Sequence, residues 1–252
     1  MQVVGYRTAV REDGPALVVA DDGAVSRVSL ATGERLDYGL GERHCAGAVD
    51  SDTHYACGDE RAPYCPQHSS TWVCARCTGD CLKEEMDCYE DHAIYLTAFA
   101  PATFKVGVTR EWRLDTRLRE QGAQRAAHLR TVPNGRLARE IEADIATEIP
   151  DRVRVPTKLG GIHEDVDGAA WDSVLAEFDP VETFAFNYGL DLDSRPVATT
   201  AARGTVVGTQ SRVLVLERGN TKYGVDLRDL VGRELDPETE SADRQSSLAG
   251  YL

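Results

Sequence analysis

All seven cysteines of this 252-residue chain fall between positions 45 and 88, and none occurs elsewhere. The N-terminal stretch MQVVGYRTAVRED has no basic start followed by an apolar run, so it does not read as a secretory leader. An odd number of thiols crowded into one segment then argues against a disulfide framework and for metal. The segment is short of aliphatic residues and has little periodicity. Its order is therefore expected to come from bound ions rather than from an apolar core.

Eight soft ligands stand in it: Cys45, Cys57, Cys65, His68, Cys74, Cys77, Cys81 and Cys88. Two close pairs, Cys65-Pro-Gln-His68 and Cys74-Ala-Arg-Cys77, have the two-residue gap that lets both side chains of a tight turn point at one ion. Eight ligands fill two tetrahedral sites without remainder. The order suggests Cys45, Cys57, Cys65 and His68 for one and Cys74, Cys77, Cys81 and Cys88 for the other, although an interleaved pairing satisfies the same count. With every position filled by protein, two structural Zn²⁺ ions are expected rather than a catalytic one. An iron–sulfur cluster is the rival chemistry for the all-cysteine set. His44, His54 and His92 compete with His68, which its spacing to Cys65 favours.

Charge bears on the partner. The formal net charge is −14, and only four of the 28 basic residues are lysines, Lys83, Lys105, Lys158 and Lys222. Excess acid with scarce lysine resembles the proteins of salt-loving archaea. An acidic chain ordinarily repels nucleic acid, because phosphate contacts need Lys and Arg. In concentrated salt that repulsion is screened, so the acidity does not exclude DNA or RNA. No apolar run is long enough to span a bilayer. The chain reads as a soluble cytoplasmic protein with no membrane partner.

The pattern along the chain suggests an α+β fold in several parts. Residues 1–43 alternate apolar and polar positions as an N-terminal β region, with a hairpin around Asp21-Asp22-Gly23. Residues 44–92 form the double zinc module, of ribbon or knuckle type. An α/β core over 93–150 begins with strands at 93–99 and 104–109, turned at Pro101. Helices are expected from Arg117 to about Arg130 and from Leu137 to about Thr147, separated by Pro133-Asn134-Gly135. The second carries Leu137, Ile141 and Ile145 on one stripe. A mixed region, 151–203, holds a short helix at 169–178 stopped by Pro180. A small β unit of three strands spans 204–235, turned at Gly219-Asn220, and a polar tail from Asp236 to 252 is expected to be disordered.

Residues 92–142 carry chemistry. Tyr95 lies on the first strand, Lys105-Val106-Gly107 on the second, Arg117 opens a helix and Glu142 sits on a later one. This order resembles the core of GIY-YIG nucleases, which have two short strand motifs, a helix-borne arginine and a metal-binding glutamate. The resemblance assigns Tyr95 and Gly107 to the two motifs. It gives Arg117 the phosphate contact, with Arg110 and Arg113 as alternative nucleic-acid-binding arginines. It makes Glu142 the ligand of a Mg²⁺ or Mn²⁺ ion if the protein is catalytic. Two positions depart: Ala93 replaces the first glycine and Lys105 the second tyrosine. The implied catalytic set is Tyr95, Lys105, Arg117 and Glu142, acting in metal-assisted phosphodiester hydrolysis.

A wider resemblance covers most of the chain. Leu36-Asp37-Tyr38, the cysteine segment, Tyr95-Leu96, Lys105-Val-Gly-Val-Thr-Arg110, Thr116-Arg117, Gln121-Gly122-Ala123 and the terminal stretch with Gly204, Gly208 and LVGREL are similar to a bacterial and archaeal family of unknown function. Three functions follow: a zinc-bearing endonuclease, a non-catalytic nucleic-acid binder on a degenerate nuclease scaffold, or a protein adaptor. For the second, Tyr64, Trp72 and Trp112 are the candidate stacking aromatics.

Overall fold

A computed structural model of the chain describes residues 1–8, 14–69 and 73–237. The fold is α+β and strand-rich, with short helices. It divides into two compact units, one made of Met1–Ser70 and Tyr188–Leu252, the other of Thr71–Asn187. Among the described residues no helix is long and apolar enough to cross a membrane.

The first unit opens with β1 (Gln2–Arg7), β2 (Ala16–Asp21), β3 (Ala24–Ser29), β4 (Arg35–Arg43) and the short β5 (Ala48–Asp50) and β6 (Thr53–Tyr55). The expected hairpin forms, with Asp21 opposite Ala24 across β2 and β3. Its turn holds Asp22 at φ 45° and Gly23 at φ 80°, the left-handed pair that a two-residue hairpin requires.

The second unit carries the central chemistry. Strands β7 (His92–Phe99) and β8 (Thr103–Arg110) are followed by a 3-10 turn at Glu111–Arg113, α1 (Leu114–Gln121), β9 (Arg125–Val132), α2 (Gly135–Ile145), α3 (Val155–Gly161), α4 (Gly168–Leu175) and β10 (Glu182–Ala185). The sheet order is β10-β9-β7-β8, all antiparallel. Ile94, Leu96, Ala98 and Val106 pack with Ala138 of α2 and Trp171 of α4, while Ala93 and Tyr95 pack with Leu114 and Leu118 of α1. That alternation is the period-2 pattern of a strand buried on both faces.

Here one expectation is corrected. The helix expected over 117–130 stops at Gln121. Gly122 takes the left-handed cap (φ 72°, ψ 31°), and the chain from Arg125 runs as the strand β9. Ala126 and Ala127 are good helix formers, yet both are fully buried. Sheet packing on two sides overrides a propensity difference worth under about 1 kcal/mol per residue. Pro133-Asn134-Gly135 therefore separates a strand from a helix, and Asn134 caps α2 by accepting from the Leu137 amide at 2.9 Å.

Returning to the first unit, the chain adds β11 (Val197–Ala198), β12 (Ala202–Gln210), β13 (Val213–Arg218), β14 (Thr221–Asp226), α5 (Leu227–Leu230) and β15 (Arg233–Asp236). Eleven strands follow one another as β11-β14-β13-β12-β4-β15-β1-β2-β3-β6-β5. Of the β unit expected over 204–235, the three strands are β12, β13 and β14, and α5 and the fourth strand β15 follow them in the same span. Its core joins Leu214, Leu216 and Val225 to Val3, Leu17 and Leu36 from the N-terminal strands. Asp236 belongs to β15, and the tail from 238 onward lies outside the described residues.

Candidate functional site

Three pieces of chain meet at the first ligand set. Cys45 follows β4, Cys57 follows β6, and Cys65 and His68 share one tight turn in which the His68 and Ser69 amides donate to the Cys65 carbonyl at 3.0 and 2.8 Å. The Cys45 amide donates to the Asp59 carbonyl at 2.8 Å, tying the first piece to the second. One ligand atom from each of Cys45, Cys57, Cys65 and His68 lies within 4.8 Å of the others. His68 Nδ1 is 3.4 Å from Cys45 Sγ and 3.3 Å from Cys65 Sγ, close to the ~3.5 Å edge that a tetrahedral zinc with sulfur and nitrogen ligands requires.

Amides already face the sulfur: Gly47 N and Cys65 N donate to Cys45 Sγ at 3.4 and 3.3 Å. Burial pushes the Cys65 thiol up, but hydrogen bonds from the His68 and Gln67 amides and from the Cys45 and His68 side chains outweigh it and hold the group down at about 7. That favours the thiolate, the form that binds metal. The competing histidines are engaged elsewhere. His44 Nδ1 lies 2.9 Å from the Cys57 carbonyl, His54 Nε2 2.9 Å from the Ala46 carbonyl, and His92 Nδ1 2.7 Å from the Glu90 carbonyl. The Cys3His cluster could hold a structural zinc.

Cys74, Cys77, Cys81 and Cys88 are not gathered in this way; among the described residues the first quartet is the one group whose ligand atoms come this close. Instead all four line one cavity of about 620 Å³ in the second unit. Arg110, Arg113, Arg117, Arg136 and Arg139 line the same cavity. Their partners are few. Arg110 pairs with Glu90 at 2.9 Å, Arg113 and Arg117 share Glu120 at 3.2 Å each, and Arg139 pairs with Glu142 at 2.6 Å. Arg136, in the first turn of α2, makes no ion pair among the described residues. With Lys83 and Asp87, which pair with each other on the same wall, six basic side chains thus meet four carboxylates, an excess of two cations in an acidic chain.

Tyr95, Lys105, Arg117 and Glu142 come together beside this cavity, within reach of one another's charge. The Tyr95 phenol is pushed up by burial, which outweighs the charge and hydrogen bond of Arg117. The Lys105 amine is pulled down to about 8, chiefly by burial, against the opposing charge of Glu142. Lys105 Nζ donates to the Val106 carbonyl at 3.0 Å and lies 5.8 Å from the Tyr95 ring centroid. Of the four, Arg117 alone lines the cavity; Tyr95, Lys105 and Glu142 are buried.

Gly107 faces Tyr95 across the β7–β8 ladder. A Cβ there would fall 2.6 Å from both Cζ and Oη of the ring. The glycine of KVGVTR is therefore the floor on which the tyrosine lies. Gly107→Ala is expected to destabilise the protein by about 1–3 kcal/mol, the usual cost of overpacking a core, as a lower urea midpoint would report. An unchanged midpoint would mean that the ring moves aside freely.

Sequence reasoning missed Arg136 and Arg139 as cavity residues. The available signal was the clustering of arginines between 110 and 139 in a chain of opposite net charge. Of the stacking candidates, the Tyr64 hydroxyl donates to the Val4 carbonyl at 3.3 Å, Trp72 lies outside the described residues, and Trp112 is 71% exposed.

Fold and site together define an α+β protein with a Cys3His cluster that could hold a metal ion. Residues 40–235 match the family model described as "Protein of unknown function (DUF2797)", and the chain belongs to that family. Comparison with curated proteins and with solved structures gives no match.

Proposed function

We propose that this is a zinc-binding, nucleic-acid-associated protein that takes up the phosphodiester backbone of DNA or RNA in its arginine-lined cavity. One observation carries the reading: five guanidiniums converge on one cavity in a chain of formal net charge −14. Arginine forks match phosphate geometry in pairs. The Cys3His zinc holds the first unit, and Cys74, Cys77, Cys81 and Cys88 close around a second zinc in the cavity wall. The acid-rich surface suits a cytoplasm of concentrated salt.

The test is binding of labelled 12-nucleotide DNA and RNA strands followed by fluorescence anisotropy, from low to molar salt. Arg136→Ser is expected to weaken binding about equally for all sequences and to lower the slope of log K against log salt by about 0.7–1. No binding by the parent at any salt, or an Arg136→Ser protein that binds like the parent, sinks the proposal.

A second reading, hydrolysis of the bound strand, is favoured by the clustering of Tyr95, Lys105, Arg117 and Glu142, which matches the nuclease-like resemblance. Within it Lys105, with its amine near 8, is better tuned to accept a proton than Tyr95, whose phenol is held up. A divalent Mg²⁺ or Mn²⁺ does not fit the donor set as it stands. Glu142 is buried against Arg139, and the acid that lines the cavity, Asp87, is bonded to Lys83. The donor set therefore favours binding over cleavage. Cleavage of any strand in the same titrations, lost in Glu142→Gln, would reverse that order.

A further inference from the structure

The rim of the cavity carries a second kind of group. Segment 89–91 lies beside segment 110–112: the Glu111 amide donates to the Asp91 carbonyl at 2.9 Å, and Glu90 accepts from both Arg110 at 2.9 Å and the Trp112 indole N–H at 3.4 Å. One carboxylate therefore orients a cavity arginine and a tryptophan together. On its other side Trp112 is followed by Arg113, whose guanidinium lies 5.9 Å from the ring centroid and which also lines the cavity. Trp112 is nevertheless 71% exposed, and Tyr89, between cavity-lining Cys88 and Glu90, is 70% exposed. Both exceed every other exposed large apolar side chain of the described residues, the next being Val181 at 69%, just before β10.

The indole, held by its N–H and flanked by Arg110 and Arg113, each paired with a glutamate, leaves 71% of its surface to water. Its flat π-face suits a flat π-partner. In a paired duplex the bases are stacked on each other and their faces are closed, whereas an unpaired nucleotide offers a free face next to its own phosphate. Phosphoserine and phosphothreonine would use the arginines but leave the indole idle. We infer that the site takes single-stranded nucleic acid, with an unpaired base stacked on Trp112 and the adjoining phosphate between Arg110 and Arg113. This rests on the reading of the cavity as a phosphodiester site, and names the strand that enters it.

The test compares four ligands of equal length on the intact protein: single-stranded DNA, single-stranded RNA, duplex DNA, and a single strand whose central nucleotides are abasic. Binding is read by anisotropy and by quenching of tryptophan emission. The parent is expected to bind the single strands at least roughly tenfold more tightly than the duplex, with its emission quenched. Trp112→Ala should lose roughly tenfold or more on the single strands, Trp112→Phe should stay within about threefold, and both should bind the abasic strand as the parent does. Because the residue is exposed, folding and zinc content serve as controls that should not move. A preference for duplex, or a Trp112→Ala protein that binds single strands like the parent while Arg136→Ser weakens them, overturns the stacking inference and leaves the phosphate site standing. Failure of every ligand to bind, with a phosphopeptide binding instead, overturns both.

Discussion

Replacing Cys65 by serine is expected to remove about one zinc atom per chain and to unfold the turn from Cys57 to His68, because a structural site with three protein ligands left no longer closes. The expectation follows from what surrounds the ligand atoms. Beyond the strands β4 and β6, the segment from Cys45 to His68 has few buried apolar side chains of its own: Cys45, Ala46 and Cys65. What order it has comes from chain-to-chain hydrogen bonds aimed at the ligands, such as the Cys45 amide on Asp59 and the Gly47 amide on Cys45 Sγ. A structural zinc brings on the order of 10 kcal/mol of apparent binding energy near neutral pH, more than the whole stability of many domains. Chelator should therefore act like the mutation. Metal content by atomic emission, together with protease susceptibility between Cys45 and His68, measures it. Cys77→Ser is the companion: it should remove the second zinc while leaving the first, and a protein that never holds more than one ion refutes the second site alone. A Cys65→Ser protein with unchanged zinc content and protease resistance would remove the metal role from this cluster.

The ligand set was legible because it is partly local. Two residues between Cys65 and His68 impose a turn in any fold, and the count of eight soft ligands was visible without coordinates. Cys45 and Cys57 are different. Their approach depends on β4, β5 and β6, whose register no spacing rule fixes. Strand alternation likewise exposed β2 and β3, while β-branched and aromatic runs turned at Pro101 exposed β7 and β8. It failed at β9, where a strand covered on both faces has no polar side, and where alanines and arginines read as helix. Gly122 carried the warning, since a glycine at that point ends a helix more readily than it interrupts one. The cavity was the least legible feature. Its arginines come from the end of β8, the 3-10 turn, α1 and the start of α2, and only the folding of those elements brings their charges to one place.

Lys105 is expected to cost the fold stability at neutral pH. Burial holds its amine near 8, well below the ordinary lysine value. Below pH 8 the amine is charged in both states, and the folded protein bears the full penalty of a buried cation. From 8 up to the ordinary value of about 10.4 the unfolded chain alone holds the proton, so stability rises with pH; above that the penalty is gone. Each pKa unit is worth about 1.4 kcal/mol, so the whole rise is about 3 kcal/mol. Lys105→Met keeps the aliphatic stem and removes the charge. It should raise the urea-derived stability at pH 7 by about 1–3 kcal/mol, the lower figure allowing for the lost bond to the Val106 carbonyl and the lost attraction to Glu142. At pH 10.5 the two proteins should differ by less. Strand binding by Lys105→Met then separates the two functional readings. Binding retained with any cleavage lost assigns the amine to proton transfer; binding weakened assigns it to the positive field of the cavity. A Lys105→Met protein less stable than the parent at both pH values would show instead that the amine is a net stabiliser through Glu142.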